Sequence, residues 1–593
     1  MRFHFVRHEN FRYTLKLNQR LSVFHPSPLF QPNPVLRIPR GHVGQDDLIA
    51  HVQPRDDFHG IDGAATELDL RARRPATGLK LEQPDGALFL PKCGSSDVQD
   101  VGDLHQFGYA QSLRRTLGPY GSFAIAFSMI SITTAIFFLL PSLFATSGAA
   151  GVWLWLPCAA GVFLVVLVYS HLAARIPITG FAYQWNSRLI NPHYGWFTGY
   201  TALLAFIAGT AATAVALATV FAGDIWSHPT HGDIVLLATA AMVAAAVINI
   251  VSIRLVSAVN NVGVFFEIVG SVVAALLLLV GSAFFHHQAG FHILTSTART
   301  NHSSLWYGFI LAALLPMYCF IGWEGAADLA EETHDPRAVT PYAMMRANLV
   351  SMAASALMIV GFLIAIPYGV ANLLGQSKNP LIYIFQSQFG VIAANVLQVV
   401  VFLAIFSCVL ANMVVATRLT FALSRDRMLP GSSVLGSVHK TTRTPIASIL
   451  LVAIVGIGIN MLSAGIAANV VSICSVAYYF VYLLTVGGAL YAHLTNRMPG
   501  VRASDFSLGR WFVIVAVSAL LFSIGVVVIA LAPQEGHIAA RYLLGAEVVG
   551  LLWYLLYLRP RLRDRTVGIY REIPSADTTG LVVPVAAEPS PGV

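Results

Sequence analysis

The chain has 593 residues, of which 56% are hydrophobic and 11% are charged, and its formal net charge is +7. So apolar a composition, arranged in long blocks, excludes an ordinary soluble globular protein. The positive charge flanks these blocks, so it indicates membrane topology and excludes a nucleic-acid partner.

Residues 1–107 differ in character from the rest of the chain. Prolines are frequent between Pro26 and Pro39, charges of both signs are mixed, and the apolar core of a signal peptide is missing. We interpret this stretch as a cytoplasmic arm that is either disordered or folded into a small module; a spurious upstream extension is a third interpretation. Residues 561–593 are predicted to form a cytoplasmic tail.

From Pro119 onward the sequence contains about twelve apolar blocks, each long enough to cross ~30 Å of hydrocarbon as a helix. The chain is therefore predicted to be an all-α polytopic membrane protein. The blocks, called spans 1 to 12 below, cover approximately residues 119–145, 151–173, 195–222, 232–252, 261–285, 305–329, 341–367, 391–423, 445–463, 467–494, 511–532 and 541–558.

The lysines and arginines of the span connections are distributed unevenly between the two ends of the spans. Only Arg299, Lys378 and Arg541 fall on one side, and the others fall on the opposite side or at the chain ends. Because cytoplasmic loops are enriched in cations, both termini are predicted to be cytoplasmic, with the protein in the plasma membrane or, in a bacterium, the inner membrane. We interpret every cation as lying outside the membrane-embedded part of the spans, although the approximate limits of spans 7, 8 and 12 include Arg346, Arg418 and Arg541 near their ends.

Span 6 is interrupted by the run Phe320-Ile321-Gly322-Trp323-Glu324-Gly325. A carboxylate at membrane depth costs several kcal/mol unless it faces protein, water or a ligand. The glycines free backbone groups from the helical ladder, which hydrocarbon tolerates only beside a cavity. The run predicts a discontinuous helix of the kind that secondary transporters use to hold a small polar solute. The alternative is a kinked packing helix with a snorkelling acid.

Span 1 carries a second polar interruption, from Ser128 to Ala135. Serine and threonine can also bond to backbone carbonyls in an ordinary helix, which is the alternative here. The two interruptions lie five spans apart, as the broken helices of an inverted repeat do. We therefore predict that both helices are broken.

Other polar residues inside the spans have two interpretations each. Glu267, in the middle of span 5, binds a proton or cation, or else makes a structural hydrogen bond to nearby backbone. Asp328 is interpreted as a structural cap or a gate contact. Ser407 and Cys408, together with Asn412 in span 8, line the same cavity or hold helices together. Neither a CxxC pair nor an HExxH motif occurs, so we predict no metal site and no catalytic residue.

At these positions residues 108–560 resemble the amino acid–polyamine–organocation permease superfamily, and the opening from Gly108 is similar to its amino acid/choline transporter branch. The segment Pro177–Trp185 resembles the P-x-[ST]-G-G-x-Y-x-W signature, with Phe181 in place of the second glycine. Further matching runs are Phe320–Glu324, Ala330–Thr333 with Asp335-Pro336, and Arg418–Asp426 with Pro430.

The resemblance implies a five-plus-five inverted repeat with two further helices, in which helices 1 and 6 are discontinuous. It also implies substrate contacts at the two interruptions, namely Ser131, Thr133, Thr134, Ala135, Phe320, Ile321, Gly322, Trp323 and Glu324. Cation or proton coupling is assigned to Glu267, Ser407 and Cys408.

Two departures from the family pattern bear on the substrate. The usual G-[SA]-G falls on Thr133-Thr134-Ala135, which leaves fewer free N–H groups for a carboxylate and favours an amine or choline-like compound. Some proton-coupled members carry a lysine at the position of Glu267, where a carboxylate would instead attract a proton or cation.

We therefore expect a secondary active transporter of an amino acid or a related amine or polyamine, working by proton or sodium symport or by exchange. Its partners are the small-molecule substrate and the lipid bilayer, and no cofactor is expected apart from H⁺ or Na⁺ as the coupling ion. The oligomeric state is left open. The alternative from another class is a permease-like nutrient sensor that signals through the arm.

Overall fold

A computed structural model describes residues 3–7, 13–17, 104, 107–109, 111–281, 290–298, 304–367, 373–374, 379–440, 442, 444–462, 467–502 and 504–569. The chain divides into two units, 1–91 and 92–593. In the first, strands β1 (Phe3–Arg7) and β2 (Tyr13–Leu17) pair antiparallel, with Phe3 opposite Leu17. The rest of the predicted arm lies almost entirely outside the described residues, as does the tail after residue 569.

The second unit is helical in its described residues, apart from one isolated bridge between Leu117 and Thr333. In chain order, spans 1 to 12 are formed by Pro119–Ile130 with Ile132–Ser147, Trp155–Ala173, Pro192–Ile225, His231–Val251, Ile253–Gly281, Leu305–Ala312 with Leu314–Cys319 and Gly325–Asp328, Pro336–Ile364, Pro380–Arg425, Ile446–Leu462, Ala467–Leu494, Phe512–Leu531, and Gln534–Trp553 continued by Tyr554–Leu558 and Arg559–Arg563. Short helices Phe181–Leu189 and Ser432–Leu435 connect spans 2 to 3 and 8 to 9.

This architecture confirms the all-α polytopic prediction. Among the described residues, ten helices are long and apolar enough to cross a membrane. Two shorter apolar helices, Leu305–Cys319 and Ile446–Met461, stand at the places of spans 6 and 9. The predicted count of about twelve is therefore recovered when the interrupted span 6 and the 17-residue helix of span 9 are included.

Span 1 is broken at a single residue. The first half ends at Ile130, and Ser131 adopts a left-handed conformation with φ of 35° and ψ of 80°. The second half then starts at Ile132, and the Ser131 hydroxyl accepts a hydrogen bond from the Thr134 N–H at 3.3 Å. Such a side-chain cap satisfies an N–H group that has no partner inside the helix. Thr133, Thr134 and Ala135 thus lie in the first turn of the second half.

Span 6 is broken over a longer stretch, between Cys319 and Gly325. Gly322 has a φ of +103°, a region that glycine enters without a steric penalty from a side chain. The breaks predicted in spans 1 and 6 are therefore both present, five spans apart.

The spans differ in how deeply they are buried. In spans 1 and 3, 89% of the most apolar 18-residue stretch is buried inside the protein. The buried share of the corresponding stretch is 28% in the helix Gly509–Leu531 and 11% in Ala539–Arg563. The first half of span 1 packs against spans 5, 7 and 8, and its second half against the first part of span 6. The two broken spans are thus central, and spans 11 and 12 are peripheral.

Span 8 corrects one expectation. Its helix Pro380–Arg425 contains Arg418, which is 1% exposed, although we expected every cation to lie outside the membrane-embedded part of the spans. Arg418 is accommodated because its Nε donates to Oε1 of Glu332 at 2.6 Å. An arginine is tolerated in such a place when it faces a carboxylate inside the bundle.

Candidate functional site

The two interruptions lie in direct contact. A Cβ atom placed on Gly322 would lie 2.9 Å from both the carbonyl carbon and the carbonyl oxygen of Met129. One placed on Gly325 would overlap the Met129 sulfur. Glycine is therefore required at position 322, where the backbone of span 6 approaches the backbone at the end of the first half of span 1.

Glu267 of span 5 joins the break in span 1 directly. Its Oε1 accepts hydrogen bonds from the Ser131 hydroxyl at 3.0 Å and from the Thr133 N–H at 3.1 Å. The Thr133 hydroxyl lies 3.3 Å from that of Ser271, one turn further along span 5. The other carboxylate oxygen, Oε2, is buried without a hydrogen-bond partner in the described part of the chain. Glu267 therefore has one oxygen engaged and one available.

Span 8 lies against the same break. The Cys408 thiol is 3.6 Å from the Met129 carbonyl oxygen, and the Asn412 amide donates to the Cys408 carbonyl at 3.0 Å. A Cβ atom on Gly263 of span 5 would overlap the Ser407 hydroxyl, so spans 5 and 8 meet closely beside Glu267. Ser407 and Cys408 thus lie on the Glu267 side of the site.

The span 6 break is enclosed by aromatic rings. The Trp323 ring stacks on Tyr482 of span 10 with centroids 5.2 Å apart, and it meets Tyr169 of span 2 edge to face at 4.9 Å. Phe320 packs edge to face on Trp155 at 5.5 Å. The Trp323 ring nitrogen is buried without a partner among the described residues. Phe320 and Trp323, both predicted substrate contacts, are therefore packed against further rings.

Glu324 is hydrogen-bonded to one of these aromatic residues. The Tyr482 hydroxyl lies 2.9 Å and 3.1 Å from its two carboxylate oxygens. Tyr169 and Tyr482 were missed by the sequence reasoning, because a tyrosine in an apolar span carries no signal that separates packing from function. The one available hint was the spacing of Tyr478 and Tyr482, which places two hydroxyl-bearing rings on one face of span 10.

All of the predicted substrate and coupling residues are buried. The structure brings them together as two groups. One surrounds Glu267 at the span 1 break, and the other surrounds Glu324 at the span 6 break; the contact of Gly322 with Met129 joins them. The Ala135 N–H donates to the Ser131 carbonyl at 3.2 Å, within the first turn of the second half of span 1. For Ile321 the structure shows burial only.

Three acidic residues just after the span 6 break are each paired. Arg418 bonds to Glu332, and the two Nη atoms of Arg425 each lie 2.9 Å from an oxygen of Glu331. Asp328 accepts a hydrogen bond from the Gly180 N–H at 2.8 Å. These contacts tie the end of span 6 to span 8 and to the connection between spans 2 and 3.

Asp426, directly after span 8, is held by neutral donors. The Tyr109 and Tyr183 hydroxyls donate to it at 2.9 Å, and the Gln184 amide at 3.1 Å. Burial raises the pKa of the Asp426 carboxyl, and the neighbouring Arg425 guanidinium opposes that rise. The segment that carries Tyr109 is thereby fixed to the helical bundle.

The described residues contain no group of three or more His, Cys, Asp or Glu side chains arranged to hold a metal ion. The site instead combines two broken helices, two buried carboxylates and several rings. Such an arrangement can bind a small polar or cationic solute.

Comparison with known proteins gives the family. A family model described as amino acid permease matches residues 117–553. Amino-acid permease BAT1 of Arabidopsis thaliana is 24% identical over 496 residues, which cover 77% of this chain and 92% of the relative. The methylthioribose transporter of Bacillus subtilis is 23% identical over 414 residues, covering 67% and 84%.

The family match begins just before span 1 and ends within span 12. It therefore includes both broken spans and the buried carboxylates Glu267 and Glu324. It confirms the resemblance inferred from the motifs. The chain belongs to the amino acid permease family, and it is a multi-pass membrane transporter rather than an enzyme.

Proposed function

We propose that this protein is a secondary active transporter that moves an amino acid or a related amine across the plasma membrane, with both termini in the cytoplasm. The observation that carries the proposal is the meeting of the two helix breaks at Met129 and Gly322. Broken helices leave backbone donors and acceptors that a polar solute can bind at membrane depth. Substrate binds between the breaks, beside Phe320, Trp323 and Glu324.

Glu267 is the coupling residue in this proposal. Its Oε1 is fixed by Ser131 and Thr133, while Oε2 is free of partners among the described residues and so can hold a proton or Na⁺. Ser407 and Cys408 pack beside it. An ionisable residue at membrane depth is costly in free energy, and such residues typically mark ion or proton pathways in membrane proteins.

Gradient-driven uptake into proteoliposomes tests the assignment. A thermal-shift screen of amino acids, polyamines, choline and GABA first selects the solute. With an imposed proton or sodium gradient, wild-type protein should accumulate that solute, and Glu267→Gln should bring the internal concentration only to the external level. Glu547→Gln is the matched control, because that carboxylate lies in span 12 and bonds to Thr201. Full retention of accumulation in Glu267→Gln refutes the coupling role.

A further inference from the structure

The second half of span 1 begins with two of its N–H groups, those of Thr133 and Thr134, already bonded to side chains of the protein. The first N–H groups of a helix have no internal partner and carry partial positive charge, which makes a helix start a binding site for anions. Here the Thr133 N–H donates to Glu267 at 3.1 Å, and the Thr134 N–H donates to the Ser131 hydroxyl at 3.3 Å. The Ser131 hydroxyl donates in turn to the same Glu267 oxygen. The protein's own carboxylate therefore fills the position that a bound carboxylate would take.

A second carboxylate lies across the breaks. Glu324 is 1% exposed and is bonded to the Tyr482 hydroxyl. In the described part of the chain, no lysine, arginine or histidine bonds to Glu324 or Glu267; the nearby arginines of span 8 bond to Glu331 and Glu332 instead. A solute carboxylate entering here would meet two buried carboxyl groups, with the Trp323 ring N–H as a free side-chain donor, whereas an ammonium group would find acceptors in both carboxyl groups.

The end of the first half of span 1 also favours a positively charged ligand. The last carbonyls of a helix carry partial negative charge and suit a cation. The Met129 carbonyl is at this end, beside Gly322. The side chain that donates to it is the Cys408 thiol, which is a weak donor. The Oε2 atom of Glu267, buried and without a partner among the described residues, adds a further acceptor.

We propose that Glu267 takes the place of a substrate carboxylate at the start of the second half of span 1, and that the transported solute is a cationic amine with no carboxylate beside its amino group. This inference rests on the proposed transport site between spans 1 and 6. It narrows the substrate from amino acids and amines in general to decarboxylated, ammonium-bearing compounds.

Matched pairs of ligands test this directly on the purified full-length protein. Dissociation constants are measured for agmatine and arginine, cadaverine and lysine, putrescine and ornithine, tyramine and tyrosine, and choline and glycine betaine. In at least one pair the compound without a carboxylate should bind roughly ten-fold or more tightly than its partner, because a carboxylate buried where few donors are free loses hydrogen bonds that it makes in water. The inference is overturned if, in every pair that shows binding, the compound with a carboxylate binds as tightly as its partner or more tightly.

Two variants of Glu267 separate its role as hydrogen-bond acceptor at the start of the helix from the effect of its charge. Glu267→Gln keeps an acceptor for the Thr133 N–H, whereas Glu267→Ala removes it and frees the helix start. The ratio of amino acid to amine affinity should therefore rise in Glu267→Ala by roughly ten-fold and rise less in Glu267→Gln. Equal ratios in both variants contradict the role of the cap.

The outcomes distinguish this inference from the proposed function. If amino acids of the panel bind and are transported but their amines are not, the transporter proposal stands and the inference fails. If no compound of this panel or of the thermal-shift screen binds or is transported under either gradient, the proposed function fails, and the inference falls with it. The wild-type pairs decide the question even where Glu267→Ala does not fold.

Discussion

Gly322 is a residue at which backbone conformation and packing impose the same requirement. Its φ of +103° disfavours any side chain, and its Cα faces the Met129 carbonyl so closely that a Cβ would lie 2.9 Å from it. The chain then continues into a short helix at Gly325. This contact defines where the two broken spans meet.

Substitution of Gly322 should therefore separate the two breaks. Gly322→Leu is expected to abolish substrate binding and to cost about 1–3 kcal/mol from backbone strain alone. The measurements are ligand affinity and the thermal unfolding temperature of the purified protein. Gly525→Ala in span 11 is the control, because a Cβ there meets no atom within 4 Å. Wild-type affinity in Gly322→Leu would show that substrate does not bind at the breaks.

Phe181 shows how a departure from a family motif is accommodated. It replaces the second glycine of the signature, and it has a φ of 20° next to Gly180 at 98°. Its ring packs against those of Phe206 and Trp185, with centroids 5.4 Å and 5.9 Å away. Aromatic burial of this kind can offset the cost of an unfavourable φ.

At the scale of elements, paired charges fix the segment after span 6 to span 8. The Arg418 and Glu332 side chains are each 2% exposed, so neither charge is solvated when its partner is lost. Removal of one member of a buried pair is far more destabilising than replacement of both.

A double-mutant cycle at this pair tests the point. Arg418→Met should lower the free energy of unfolding by about 3–5 kcal/mol, because it leaves Glu332 charged and unpaired. The double variant Arg418→Met with Glu332→Gln should regain most of that loss. Thermal unfolding in detergent measures both, and Arg425→Met is a milder comparison since Arg425 is 15% exposed. A double variant no more stable than Arg418→Met would contradict the explanation.

The elements also show which helix limits follow from local chemistry. Span 8 was predicted to begin at residue 391, and the long helix Pro380–Arg425 bends at Gly390, where φ is 80° and ψ is 175°. The bend follows from glycine and was detectable in the sequence. The break of span 1 was predicted over several residues but occupies Ser131 alone, because one hydroxyl caps the new helix and also bonds to Glu267.

At the scale of the whole molecule, the segment before span 1 has two parts. Phe107 and Leu117 are buried, and the Gln111 amide donates to the Glu331 carbonyl at 2.9 Å. Tyr109 bonds to Asp426. Phe107, Tyr109, Gln111 and Leu117 are therefore packed or bonded onto the permease helices, whereas the domain boundary and the role of the preceding arm stay predictions.

Truncation distinguishes the two parts. Deletion of residues 1–100 should leave transport in proteoliposomes unchanged, since the contacts of Phe107, Tyr109 and Gln111 remain. Deletion of residues 1–113 removes buried hydrogen bonds of about 1–3 kcal/mol in total, so it should lower the unfolding temperature. Loss of a nutrient response in cells on deletion of 1–100, from a protein with no measurable flux, would favour the sensor alternative instead.

The sequence by itself determined the helical membrane class, the number of spans, the family motifs and the positions of both breaks. These follow from local properties: the length of apolar runs, and glycine, serine or a carboxylate at membrane depth. Only the tertiary structure showed that Glu267 caps span 1, that Tyr482 holds Glu324 and that Arg418 is buried against Glu332. Each of these contacts joins residues more than 80 positions apart, so it depends on how the spans pack rather than on any local pattern.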